Sequence, residues 1–106
     1  MVSCICVVQE GQPPDQQNRE IQDALNRFTS ASFGEEAQIA WIRVAPGSGF
    51  TGGKPSTSSV VSITSSERLT PERRESLLRE LVALWTNETG STVDEIVAVI
   101  SDPIQH

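Results

Sequence analysis

The sequence nearly repeats itself after 57 positions, and this repeat constrains the fold more than any other feature of the chain. Phe28 aligns with Trp85 and Pro46 aligns with Pro103 when the sequence is shifted by this amount. Matching residue types at a fixed spacing are the signature of a repeated supersecondary unit. The chain is therefore predicted to contain two copies of one unit.

Length and charge limit the classes of protein that fit this chain. The 106 residues predict one domain, residues 1–106, with a small core. Fourteen acidic and eight basic residues give a net charge of −6, which argues against nucleic acid or an anionic membrane as a partner. The sequence has no apolar run long enough to span a membrane, and Met1–Val8 lacks the basic start of a signal peptide. We expect a cytoplasmic protein.

The first unit, residues 1–46, has the pattern strand, helix, strand. Val2–Val8 and Ile39–Val44 are rich in β-branched and other apolar residues, as strands are. Between them, Pro14 predicts the first turn of a helix that continues to about Thr29. Apolar residues follow the helical spacing in this segment, at Ile21, Ala24, Leu25 and Phe28.

The second unit, residues 59–103, repeats this order. Ser59–Ser65 and Ile96–Ile100 are predicted strands, and the helix between them begins at Thr70-Pro71-Glu72 and ends at Gly90. The units are joined by residues 46–58, a segment rich in Gly, Ser, Thr and Pro that we predict to be irregular. A loop of this length in a compact domain is typically functional or bound to a partner.

Two βαβ units predict an α/β (α+β) fold with one four-stranded sheet and both helices on one of its faces. The strands are apolar on both sides, so the second face must also be covered. We therefore predict a homo-oligomer in which another subunit covers it. Alternation along the second strand separates Ala40 and Ile42 from Trp41 and Arg43, and we assign Trp41 and Arg43 to the subunit interface.

Few residues in the sequence are suited to metal binding or nucleophilic catalysis. Cys4 and Cys6 share one strand face and are predicted to be buried small side chains. The chain has no tyrosine, and its one histidine is His106. We expect no metal site and no cofactor.

Three of the eight basic residues fall outside the predicted helices. Arg43 is on a strand, Lys54 follows Gly52-Gly53, and Arg68 precedes the second helix, whose N-terminus attracts anions. Each could form a structural ion pair or bind an anionic ligand, and the sequence leaves both open.

The stretch from about Gln38 to Pro103 contains Pro46, Phe50-Thr51-Gly52-Gly53 and a turn at Glu67. In these features it resembles the tautomerase superfamily, and within it the cis-3-chloroacrylic acid dehalogenase group. The remaining part of the chain agrees in the layout of its elements.

The resemblance implies a homotrimer with active sites at its subunit interfaces and an amino-terminal proline as the catalytic base. Val2 follows Met1 in this sequence. The catalytic candidates that remain are the amine of Val2 or Met1, since a free α-amine has a pKa of roughly 7.7–8.0, and Arg68. We also predict four ligand-binding residues: Arg43, Lys54, Trp41 and Phe50. Asn26-Arg27-Phe28-Thr29 occupies the region where the dehalogenase group has a histidine, so hydrolytic dehalogenation is not expected.

Three functions follow from these features. The first is a weak keto–enol tautomerase, an isomerase of a small 2-oxo carboxylate with an amino-terminal site that lacks proline. The second is a noncatalytic homologue that binds a small molecule or forms a structural trimer. The third is a ferredoxin-like regulatory domain, because that fold has the same order of elements.

Overall fold

A computed structural model describes residues 1–11 and 17–103, and in it the two units form one sheet. The strands of this sheet alternate along the chain with two long helices. Their bounds are β1 Ser3–Gln9, α1 Asn18–Phe33, β2 Gln38–Val44, β5 Ser59–Thr64, α2 Pro71–Thr89 and β6 Ile96–Ser101. Two short strands, β3 Gly49–Thr51 and β4 Lys54–Ser56, lie between the units.

The order of strands in the sheet is β2-β1-β5-β6. Within each unit the two strands are parallel neighbours, and β1 joins the units by pairing antiparallel with β5. A ferredoxin-like fold has split βαβ units, whose strands are not direct neighbours. The ferredoxin-like fold of the third alternative is therefore wrong, whereas the predicted four-stranded sheet of two βαβ units is confirmed.

Both helices pack on one face of the sheet, as predicted. Cys4 and Cys6 of β1 are fully buried there against Leu25 of α1 and Leu81 and Trp85 of α2. The two thiols are free, and their sulfur atoms lie 3.8 Å apart. The hydrogen bond with Cys4 and burial together raise the pKa of the Cys6 thiol far above its ordinary value. These cysteines are core residues, as the sequence indicated.

The second helix begins and ends where the sequence predicts. The Thr70 hydroxyl accepts a hydrogen bond from the Arg73 N–H, at 3.1 Å, and Pro71 is the first helical residue. Gly90 ends the helix in the left-handed conformation. The first helix ends later than predicted, at Phe33, with Gly34 in the same left-handed role. The predicted start at Pro14 lies outside the described residues.

The predicted irregular linker contains a β-hairpin. Strands β3 and β4 pair antiparallel around Gly52 and Gly53, which both have positive φ angles, of 59° and 76°. A two-residue turn with two positive φ angles suits the twist of a hairpin. The prediction that residues 46–58 lack regular structure is therefore wrong.

The prediction that Trp41 and Arg43 face a neighbouring subunit is also wrong. Trp41 is the register partner of Cys6, so both side chains point to the helix-covered face. The Trp41 ring lies 6.3 Å from the Trp85 ring, and its indole N–H donates to Gln22 of α1. The Arg43 guanidinium lies 5.9 Å from the centre of the Trp41 ring.

The opposite face of the sheet is apolar and open. We call it the open face, and strand alternation assigns it Ile5, Val7, Ala40, Ile42, Val44, Val60, Ser62, Val97 and Val99. Four of these side chains are between 40% and 48% exposed, namely Ile5, Ile42, Val97 and Val99. Apolar side chains this exposed on adjacent strands are typical of a face that is covered by another molecule.

Candidate functional site

The start of β1 holds the first candidate residues. The Val2 side chain is fully buried, while Met1 is 75% exposed. The Val2 N–H donates to Glu35 Oε1 at 2.5 Å, and the Met1 amine lies 3.5 Å from the same oxygen. The Val2 carbonyl accepts from the Gln38 N–H at 2.9 Å. We call the end of the sheet that carries Met1, Val2 and the start of β1 the amino-terminal edge. Hydrogen bonds of both the Val2 N–H and the Val2 carbonyl hold it in place.

Glu35 reaches this edge because of how α1 ends. Gly34 adopts a φ of 78°, and the chain then turns into β2, whose first residue, Gln38, is the register partner of Ser3. The parallel pairing of β1 and β2 therefore places the residues that precede β2 beside the start of β1. Of these two adjacent acidic residues, Glu36 is exposed, whereas the partly exposed Glu35 contacts the start of β1. The end of α1 at Gly34 and the βαβ order of elements together indicate the position of Glu35 beside β1.

Arg68 lies at the same end of the sheet. Thr64, the last residue of β5, pairs with Ser3, and the chain that follows it leads to an exposed Arg68 before α2. Among described residues near Arg68 is Asp102, whose Oδ1 accepts from the Leu69 N–H at 3.1 Å and from the Arg74 guanidinium at 2.7 Å. The end of the sheet at which β1 starts therefore carries both cations and carboxylates.

The hydrogen bond from the Leu69 N–H lowers the pKa of Asp102, with further contributions from the positive charges of Arg74 and Arg68. A lowered folded-state pKa stabilises the fold above the ordinary aspartate pKa, and this stabilisation is lost as the pH falls through the lowered value. We expect Asp102→Asn to lower the midpoint of urea unfolding at pH 7, and to lower it less at pH 2. A decrease in the unfolding midpoint that is equal at pH 7 and pH 2 would contradict a stabilising role for the charged Asp102 side chain.

Lys54 and Phe50 lie at the opposite end of β1. They belong to the hairpin, which Gln9 holds through two hydrogen bonds, one to the Ser56 carbonyl at 2.6 Å and one from the Gly47 N–H at 3.0 Å. Six residue steps separate Ser3 from Gln9, which is roughly 20 Å of strand. One chain therefore does not bring Lys54 and Phe50 to the amino-terminal edge.

The hairpin encloses a cavity with the sheet. Its volume is about 270 Å³, and its lining combines apolar side chains with the hydroxyl-bearing residues Ser48, Thr51, Ser56 and Ser58. Phe50 at its rim is 69% exposed. Val60 and Val97 of the open face also line it, so the cavity continues onto the open face.

The described residues contain no group of three or more His, Cys, Asp or Glu side chains arranged to hold a metal ion. In the same part of the chain, neither helix has the length and apolarity needed to cross a membrane.

Comparison with known proteins identifies solved structures that share this fold. No protein-family model and no curated protein matches the sequence. Solved structures do match. Native Ps01740 superposes with a TM-score of 0.84 over 94% of this chain and 92% of its own, at 17% identity. A fused 4-OT described as a symmetric trimer gives 0.80, 15% identity and coverages of 94% and 84%. N1, a member of the cis-3-chloroacrylic acid dehalogenase family, gives 0.82, 12% identity and coverages of 95% and 74%.

The chain has the tautomerase fold. The resemblance drawn from the sequence is thereby confirmed at the level of the fold. In this tautomerase-fold chain, the site predicted from the sequence divides into three places: Met1, Val2 and Arg68 at the amino-terminal edge, Trp41 and Arg43 under the helices, and Phe50 and Lys54 on the hairpin.

Proposed function

We propose that this protein is a homotrimer in which each open face is covered by another copy of the chain. The open face supports this proposal, because a monomer would leave Ile5, Ile42, Val97 and Val99 between 40% and 48% exposed in water. The similarity to a fused 4-OT that forms a symmetric trimer also supports three copies over two. Light scattering should give a mass near three times 11.5 kDa.

Assembly would also bring the separated candidate residues together. Within one chain, Phe50 and Lys54 lie at the far end of β1, a strand roughly 20 Å long, so a neighbouring copy is needed to supply them to an amino-terminal edge. The exposure of both side chains leaves them available for such a contact. We propose a site built from Met1, Val2 and Arg68 of one subunit and the hairpin of another.

The reaction that we propose for this site is slow keto–enol conversion of a small 2-oxo carboxylate. The observation that carries this proposal is the position of Arg68, an exposed cation beside the N-terminus of α2 and at the same end of the sheet as the amine. A guanidinium and a helix N-terminus both attract carboxylate. The amine at the same end of the sheet supplies a group that can give or take a proton.

We expect the wild-type protein to convert the enol of phenylpyruvate to its keto form, and Arg68→Ala to reduce kcat/KM by about 10- to 100-fold. That range corresponds to the loss of one hydrogen bond to a charged group, about 1.5–3 kcal/mol. Arg19→Ala is the matched control, because Arg19 is exposed on α1. Equal rates for wild type and Arg68→Ala would remove Arg68 from the site, and no rate in either would remove the activity.

The second candidate is a noncatalytic trimer that binds a small molecule or has a structural role. The complete burial of the Val2 side chain favours it, since residue 2 then contributes to the core. A Val2→Pro variant with Met1 removed distinguishes the two candidates within the same assay. Activity gained by this variant over an inactive wild type would show that the pocket is intact and only the base is missing.

We further propose that residues 1–106 form one domain and that the protein resides in the cytoplasm. The two free, buried thiols at Cys4 and Cys6 support a reducing compartment.

A further inference from the structure

Glu35 is the residue best placed to exchange a proton at the amino-terminal edge. Its Oε1 contacts the first two backbone nitrogens of the chain, at 3.5 Å from Met1 and 2.5 Å from Val2. The Glu35 side chain is 41% exposed, so a small molecule can reach it while it keeps these contacts. A carboxylate that is both anchored and accessible has the geometry that proton transfer requires.

Asp102, a second carboxylate with contacts at this end of the sheet, is less available. Asp102 Oδ1 accepts hydrogen bonds from the Leu69 N–H and from Arg74, and the Arg74 guanidinium also binds the Ile100 carbonyl at 3.0 Å. Protonating Asp102 would weaken these contacts, which hold the start of α2. Glu35 has no such role at a helix start, because it follows the end of α1.

The same contact changes what the amine does when Met1 is removed. The Val2 nitrogen would then be an ammonium beside Glu35, and an adjacent carboxylate favours the charged form of an amine. An amine that keeps its proton is an acid, and its carboxylate partner is the base. This arrangement is the reverse of a site in which the amino-terminal amine is the base.

We propose that the Glu35 carboxylate is the catalytic base of the keto–enol conversion and that the neighbouring ammonium is the acid. This inference rests on the function proposed above. Glu35 takes the proton of the enol hydroxyl, whose O–H electrons form the C=O bond. The C=C electrons form a new C–H bond to a proton given by the ammonium. Transfer of the proton from Glu35 to the amine restores both groups, so the reaction is an isomerisation with no net change in atoms or electrons.

The test is the rate of phenylpyruvate enol–keto conversion between pH 4 and pH 9, with the full-length protein whose amino-terminal residue is established by mass spectrometry. We expect Glu35→Gln to lower kcat at least 100-fold and to remove the acid limb of the pH–rate profile, because general bases contribute about 10²–10⁴-fold. Glu36→Gln is the matched control, since Glu36 is the exposed neighbour of Glu35 and should leave kcat within twofold of wild type.

Glutamine keeps an oxygen that accepts from the Val2 N–H, and circular dichroism checks that the variant is folded. Glu35→Asp gives a second measurement, because it keeps the charge on a shorter side chain and should retain the acid limb at a reduced kcat. An active wild type with equal kcat in Glu35→Gln would overturn the role of Glu35 and leave the proposed function standing. A wild type without activity would overturn the proposed function, and the role of Glu35 with it.

Discussion

Replacing Ile5 by glutamate should convert the proposed trimer into monomers. Ile5 lies on β1, an inner strand of the sheet, and its register partners are Ala40 on β2 and Ser62 on β5. A subunit that covers the open face would bury residue 5 among apolar side chains. An unpaired carboxylate buried in such a place costs several kcal/mol.

This cost is large compared with the free energy of association. Each 1.4 kcal/mol weakens association tenfold, so a cost of about 4 kcal/mol corresponds to roughly a 1,000-fold weaker complex. Light scattering at micromolar concentration should give 11.5 kDa for Ile5→Glu. The proposed tautomerase activity should fall with the mass, because the hairpin of a second copy would no longer reach the amino-terminal edge.

Ala31→Glu is the matched control for this variant. It introduces the same side chain at an exposed position of α1, which lies on the other side of the sheet. We expect the Ala31 variant to keep the wild-type mass. If Ile5→Glu also kept that mass, the open face would not be the interface.

The parts of the fold that the sequence predicts well are those set by local signals. Thr70, Pro71 and Gly90 define both ends of α2 by chemistry that involves only nearby backbone groups. The hairpin also had a local signal, the Gly52-Gly53 pair, but its strands are only three residues long. Such short strands do not show the alternation by which strands are recognised.

The faces of β2 could not be assigned from the sequence alone. Ile39 and Trp41 alternate with Ala40 and Ile42, so both sides of this strand are apolar. Alternation shows which residues share a side, but the side that meets the helices depends on the register between strands. That register pairs Trp41 with Cys6 and places Trp41 in the core.

The candidate site was predictable only in part for a related reason. The sequence identifies residue types, and it predicted Arg68 near a helix N-terminus correctly. The contact between Glu35 and Val2 joins residues 33 positions apart and depends on parallel pairing. The separation of the hairpin from the amino-terminal edge likewise became visible only with the strand order.

Trp85 should be the most sensitive position in the core. It is fully buried on α2 and packs against the Trp41 ring at 6.3 Å, tilted by 33°. We expect Trp85→Ala to lower the free energy of unfolding by about 3–5 kcal/mol, because it removes a large apolar surface and leaves a cavity. For a small domain this is a large part of the total stability.

The Trp85→Phe variant separates the contribution of ring packing from that of the buried indole nitrogen. The Trp85 indole nitrogen is buried and has no hydrogen-bond partner among the described residues, so removing it eliminates a desolvation cost of about 1–3 kcal/mol. The smaller phenyl ring leaves a void whose cost has the opposite sign. We therefore expect Trp85→Phe to lower the free energy of unfolding by less than half as much as Trp85→Ala does. Urea unfolding measures both variants, at one fixed protein concentration because association adds to the stability of an oligomer. Equal losses in the two variants would show that a phenyl ring does not replace the indole in the packing between the helices and the sheet, and would contradict this expectation.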